Sequence, residues 1–138
     1  MAARVAVAIV LVVLLVAVAY WLERRRRRDA PTQASSQPPS QLDRNDFPRA
    51  DARWIVVLFT SANCESCAGL YDKAKPLESA EVAVFESEFP DDRSRHERYH
   101  IDAAPTTVVA DADGVVRAAL VGPFEAAELW SAMADARR

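Results

Sequence analysis

Trp54-Ile55-Val56-Val57-Leu58-Phe59-Thr60-Ser61-Ala62-Asn63-Cys64-Glu65-Ser66-Cys67 is the stretch whose reading decides the fold. Ile55 to Phe59 is wholly apolar, the pattern of a strand buried on both faces. The only two cysteines of the 138-residue chain follow, two residues apart. A C-x-x-C at the point where a strand hands over to a helix is a redox-active dithiol arrangement, because two thiols this close can form a small disulfide and open it again. Thiol–disulfide exchange is the chemistry these residues point to.

Downstream of Cys64 the pattern predicts a helix. Ala68, Leu70, Tyr71 and Ala74 can share a core face, and Pro76 ends or kinks the run. Val82 to Phe85 reads as a second strand. Pro90 to Tyr99 reads as a short surface helix, with Asp91 and Asp92 near its start and Arg98 near its end, as the helix dipole favours. Thr106 to Ala110 is a third strand. Asp111-Ala112-Asp113-Gly114 is a hairpin turn, since Asp-Gly accepts the positive φ such turns need, and Val115 to Val121 is the returning strand. Gly122-Pro123 breaks it. Phe124 to Ala136 is the last helix, with Phe124, Ala127, Leu129, Trp130 and Met133 available for the core. Early strands alternating with helices call for parallel pairing, and the closing hairpin is antiparallel. The expected class is α/β: a mixed sheet flanked by helices.

This order and these residues resemble the thioredoxin superfamily over about Leu42 to Ala136. Three elements carry the resemblance: the apolar strand into Cys64-x-x-Cys67, the stretch Ile101-Asp102-Ala103-Ala104-Pro105-Thr106, which is similar to the family's Ile-Pro-Thr loop with its cis proline, and Asp113-Gly114 followed by Val121-Gly122 and the terminal helix. The resemblance implies that Cys64 is the attacking nucleophile at a helix amino terminus and that Cys67, one turn inside, resolves the mixed disulfide. It implies that Ala104, Pro105 and Thr106 form the loop against which an extended protein substrate lies. It implies no bound cofactor, since the cysteine pair is itself the redox group. The chain departs from the family at Asn63, where many members have tryptophan, at Glu65-Ser66, where general thioredoxins have Gly-Pro, and at Leu58, where they have a buried aspartate. Glu65 places a negative charge beside a thiolate, which opposes its formation. These departures suit a more specialised thiol protein.

The amino-terminal part is different in kind. Residues 1–4 are a short tail. Val5 to Leu22 is an uncharged run closed by Tyr20 and Trp21. As a helix it would reach roughly 27 Å, close to the hydrocarbon thickness of a bilayer. Residues 23–40 join a basic collar, Arg24 to Arg28, to a Pro/Ser/Gln-rich tether, and residues 41–138 form the folded domain. A cleaved signal peptide is the alternative, for Ala17-Val18-Ala19 resembles a cleavage site. Its charge bias would be the reverse, since here a single Arg4 precedes the apolar run and five arginines follow it. The sequence therefore predicts a single-pass anchor in the cell membrane, and the positive-inside bias predicts a cytoplasmic domain.

Charge and composition bound the partners. Residues 41–138 hold 11 basic and 18 acidic residues, a net of −7. That argues against nucleic acid. Three glycines and no Gly-rich loop leave no phosphate-binding signature. The expected partners are a protein disulfide or dithiol and, through residues 5–22, the lipid bilayer; the chain is expected to act as a monomer. Two alternatives stand beside the redox reading. Cys64 and Cys67, with His100 as a third ligand, could hold a soft metal ion. A redox-inactive scaffold for a membrane partner is the other. His100 is read as a solvated residue at a helix end, His96 as lying on the exposed face of its helix, and Arg93, Arg95 and Arg98 as a solvated face.

Overall fold

In the computed structural model, residues 1, 10–21 and 37–138 are described. They fall into two compact units, Met1–Ala34 and Ser35–Arg138. In the first, residues 10–21 form helix α1, and its large apolar side chains are exposed, Leu15 to 70 %. The rest of the expected 5–22 span and most of the 23–40 segment lie outside the described residues. Among the described residues no helix is long and apolar enough to cross a membrane.

The second unit is built on four strands: β1 (Trp54–Ser61), β2 (Val82–Phe89), β3 (Thr106–Ala110) and β4 (Val116–Val121), in the order β2-β1-β3-β4. Three helices accompany them, α2 (Leu70–Ala74), α3 (Arg93–Arg98) and α4 (Ala126–Ala136). β1 runs parallel to β2, with Trp54 opposite Val82 and Ser61 opposite Phe89. β3 lies antiparallel to both β1 and β4. The all-apolar pattern of β1 has its reason here: it is an inner strand covered on both faces.

One face of the sheet presents Trp54, Val56, Leu58, Val82, Val84 and Val109 to Leu70, Ala74, Phe124, Leu129 and Met133. The other presents Ile55, Val57, Phe59, Ala83 and Val108 to Leu42, Phe47, Ala52 and Tyr99. Each fully buried side chain of this size contributes about 1.5–3 kcal/mol. The second face is closed largely by the lead-in before β1 rather than by a long helix. Asp43 caps a single 3-10 turn, Arg44–Asp46, by accepting from the Asn45 N–H. Buried Arg44 then donates to the carbonyls of Asp111 (2.7 Å) and Ala52 (2.8 Å), tying the lead-in to the sheet.

α3 is bound to the lead-in by a polar network. The Tyr99 hydroxyl donates to the Asp46 carboxylate and accepts from the Asp43 N–H at 3.1 Å. Arg98 pairs with Asp43 (3.2 Å) and Asp46 (3.1 Å). Arg95 pairs with Asp92 at 2.6 Å and lies over the Phe47 and Phe85 rings. Arg93 and Arg98 are exposed, as expected of a solvated face, and Arg95 and Arg98 also fasten α3 to the lead-in.

The Asp111–Gly114 turn joins β3 to β4, and its closing residue is fixed twice over. Gly114 has φ +78°, and a Cβ there would fall 2.0 Å from the Leu42 carbonyl oxygen. That approach is drawn in by the Leu42 N–H, which donates to the Gly114 carbonyl at 2.8 Å, and Gln41 bridges to Val115 beside it.

Four expectations are corrected. The second strand runs on to Phe89 instead of ending at Phe85, because Ser87 and Phe89 continue the ladder with Phe59 and Ser61. The helix after Cys64 is not continuous: a 3-10 turn at Glu65–Cys67, a left-handed Gly69 (φ 75°), five residues of α2 and a second 3-10 turn at Lys75–Leu77 replace it. Trp130, expected in the core, is 48 % exposed, and Ala127 is exposed with it, since Leu129 and Met133, with Phe124 just before the helix, already define the inner stripe. His96, expected on the outer face of α3, is buried. Its Nε2 meets the Ser87 carbonyl oxygen at 2.8 Å, and its ring stands edge-on to Phe59.

Candidate functional site

The site sits where β1 ends. The Ala62 N–H donates to the Phe89 carbonyl and the Cys64 N–H to the Ser61 carbonyl, so the chain folds back on the sheet edge before turning. The 3-10 turn follows, with the Cys67 N–H donating to the Cys64 carbonyl at 3.2 Å. A turn of this kind brings residues i and i+3 onto one side. The two Cα atoms are 5.3 Å apart and the sulfurs are joined as a disulfide.

The two cysteines are unequal. Cys64 is partly exposed, whereas Cys67 is 7 % exposed. The Ser66 hydroxyl lies 3.3 Å from the Cys64 sulfur and can donate to it. Glu65 and Asn63 are exposed. With the helix interrupted at Gly69, the backbone behind Cys64 supplies one short turn's N–H groups rather than the summed dipole of a long helix.

The second wall of the site is the loop before β3. The Ala104–Pro105 peptide is cis. It presents the Ala104 carbonyl oxygen 3.7 Å from the Cys64 sulfur. The Pro105 carbonyl accepts from the Gly122 N–H at 2.8 Å, which ties the Val121-Gly122 ending to this loop. Thr106 is buried, and its hydroxyl donates to the Ala103 carbonyl at 2.8 Å. Of the three loop residues named from sequence, Ala104 is thus the one whose backbone faces the sulfur, while Pro105 and Thr106 hold the loop in place.

His100 lies on the way into this loop, exposed, with φ 51°. Among the described residues, no group of three or more His, Cys, Asp or Glu side chains stands together as a metal site, so His100 is not gathered with the cysteine pair. The sheet also holds a group that sequence reading passed over. The Thr60 hydroxyl donates to a carboxylate oxygen of Glu86 at 2.8 Å. The alternation Val82, Val84, Glu86 along β2 was the available signal, because it puts a carboxylate where the apolar series would continue.

No family profile and no curated protein matches the sequence. Solved structures do match. A thioredoxin from Fasciola hepatica superposes with a TM-score of 0.52 at 24 % identity, covering 61 % of this chain and 82 % of its own. Thioredoxin O2 of Arabidopsis thaliana, in its oxidised state, gives 0.54 at 19 % identity over 75 % of this chain and 96 % of its own. StoA from Bacillus subtilis gives 0.53 at 12 % identity over 75 % and 99 %. The fold is the thioredoxin fold.

Proposed function

We propose that this thioredoxin-fold chain is a membrane-tethered thiol–disulfide oxidoreductase in which Cys64 attacks and Cys67 resolves. The observation that carries the reading is the inequality of the pair: one sulfur accessible beside the Ala104 carbonyl, the other buried behind it, at bonding distance. In the reduced pair the Cys64 thiolate attacks one sulfur of a partner disulfide. A Cys64–partner bond forms, the partner's own S–S bond breaks, and its second sulfur leaves with the electron pair and takes up a proton. Cys67 then loses its proton and attacks the Cys64 sulfur. The Cys64–Cys67 disulfide forms, and the partner departs as a dithiol. The pair is oxidised by two electrons and the partner reduced by two. A thiol reductant returns it to the dithiol.

The roles of the loop follow from its geometry. Ala104 flanks the reacting sulfur and offers an extended partner segment a backbone edge. Pro105, which has no N–H, leaves the sulfur side of the loop without a competing donor.

The tether rests on residues 5–22 and the arginine collar. The described part of that run, 10–21, is helical and apolar on every side, a composition suited to lipid rather than water. The charge bias favours a cytoplasmic domain.

Turnover of a protein disulfide by the reduced full-length chain, lost on Cys64→Ser, tests the chemistry. Absence of turnover with an intact fold would favour a scaffold. A topology reporter fused after Arg138 tests the orientation, and an outward-facing signal would overturn the cytoplasmic assignment alone.

A further inference from the structure

The resolving step asks a buried thiol to give up a proton, so an acceptor must be within reach on the inner side of the site. Cys67 is 7 % exposed and lies three residues before Leu70, which packs on the sheet face that carries Leu58 of β1 and Val84 of β2. That face has a definite grain. Its first rows are Trp54 with Val82, then Val56 with Val84 and Val109, all apolar. The next row toward the end of β1 that leads to Cys64 is Glu86, Leu58 and Thr107, and Thr60 with the exposed Glu88 follows it. The face turns polar only toward that end of β1, from the Leu58 row onward.

Both polar members of that row are unusual. Glu86 is only partly exposed, and Thr60, itself buried, donates to it at 2.8 Å, fixing the carboxylate against the end of β1. Thr107, across Leu58, is buried with a hydroxyl that has no hydrogen-bond partner. A buried hydroxyl without a partner is costly, and such groups gather at working sites. The other ionisable groups on and around this face are Glu88 on β2, Tyr71, Asp72, Lys73 and Lys75 around α2, Glu125 capping α4, and Glu128 and Asp135 on it. Lys73 is taken by Glu125 (3.2 Å), and Asp72 and Glu128 are exposed. Glu65 is exposed on the outer side of the turn.

We infer that Glu86, held by Thr60, is the proton acceptor for Cys67 in the resolving step. The inference rests on the proposed oxidoreductase reading and deepens it. As the Cys67 S–H bond breaks, its proton passes to the Glu86 carboxylate. The sulfur's electron pair forms the bond to Cys64, and the Cys64–partner bond breaks with its pair leaving on the partner sulfur. On reduction of the disulfide the proton returns to Cys67.

The test uses the full-length chain and two readouts. In a Cys64→Ser background, the pH dependence of Cys67 alkylation by iodoacetamide reports the thiol alone. A carboxylate nearby disfavours the thiolate, so Glu86→Gln should shift the profile to lower pH. In the wild-type pair, with Cys64 preloaded as a mixed disulfide with thionitrobenzoate, release of that chromophore reports the resolving attack. Glu86→Gln should slow release by about 10²-fold near neutral pH, the scale of a lost general base, with Glu86→Asp recovering part and Thr60→Val showing a smaller loss. An unchanged alkylation profile together with unchanged release in Glu86→Gln overturns the inference. If the wild-type pair releases no chromophore, the oxidoreductase reading fails, and the alkylation profile still decides whether Glu86 faces Cys67.

Discussion

The sulfur of Cys64 stands 3.7 Å from the carbonyl oxygen of Ala104, across 40 positions of sequence. The loop before β3 therefore walls one side of the accessible sulfur, while Cys67 occupies the inner side. On the proposed reading a partner disulfide would approach from the remaining open side and meet Cys64 first.

That order predicts which variant traps a partner. Cys67→Ser should accumulate mixed disulfides through Cys64, and Cys64→Ser should accumulate none, as read by non-reducing electrophoresis after acid quenching. Equal trapping by both would remove the assigned roles.

Two glycines with left-handed φ make a matched pair. Gly114→Ala meets both backbone strain and the Leu42 carbonyl oxygen, whereas Gly69→Ala, at φ 75°, finds nothing within 4 Å of the added Cβ. Gly69→Ala should cost roughly 1 kcal/mol, from conformation alone. Gly114→Ala should cost at least about 3 kcal/mol, because the close approach adds overlap to the strain. Urea unfolding midpoints give the comparison.

The Tyr99 phenol is pushed up to about 12, first by burial and then by its hydrogen bond to Asp46, against the opposing pull of the Asp43 N–H. An unfolded tyrosine releases its proton near pH 10. Below that value both states hold the proton and the contribution of the buried phenol is complete. Between about pH 10 and 12 the unfolded chain gains by ionising while the folded one does not, so stability falls. The loss should be on the order of 2 kcal/mol across that window, and absent in Tyr99→Phe. Unfolding midpoints at a series of alkaline pH values check it, and parallel curves for the two proteins would contradict it.

Neighbours on α4 should behave as opposites. Leu129→Ala empties a fully buried position and should cost about 2–5 kcal/mol. Trp130→Ala removes a side chain that is 48 % exposed and should change stability by no more than about 0.5 kcal/mol. Thermal unfolding of the two variants distinguishes them.

The strands were legible because β1 carries an unbroken apolar run, β3 is rich in β-branched residues, and the Asp113-Gly114 turn is specific to a hairpin. The cysteine turn and the Ala104–Pro105 loop were legible because each is a short, chemically restricted motif. What sequence missed lay in tertiary context. His96 is polar in a polar helix, and only the gap between Phe59 and Phe89, with the Ser87 carbonyl at its floor, draws it inward. Trp130 is apolar, yet the inner stripe of α4 was already filled. The break at Gly69 needs a left-handed residue that a helical apolar spacing does not reveal. Glu86 reads as an exposed charge until strand register sets it beside Leu58.

The chain joins its domain at Gln41, which pairs with Val115 beside the β3–β4 turn, while the cysteines follow the other end of β1. Entry and chemistry are at opposite poles, separated by the eight residues of β1, about 26 Å of strand. Whatever holds the chain before Gln41 would therefore leave the sulfur end of the sheet clear, and a change in the lead-in need not disturb the cysteine turn.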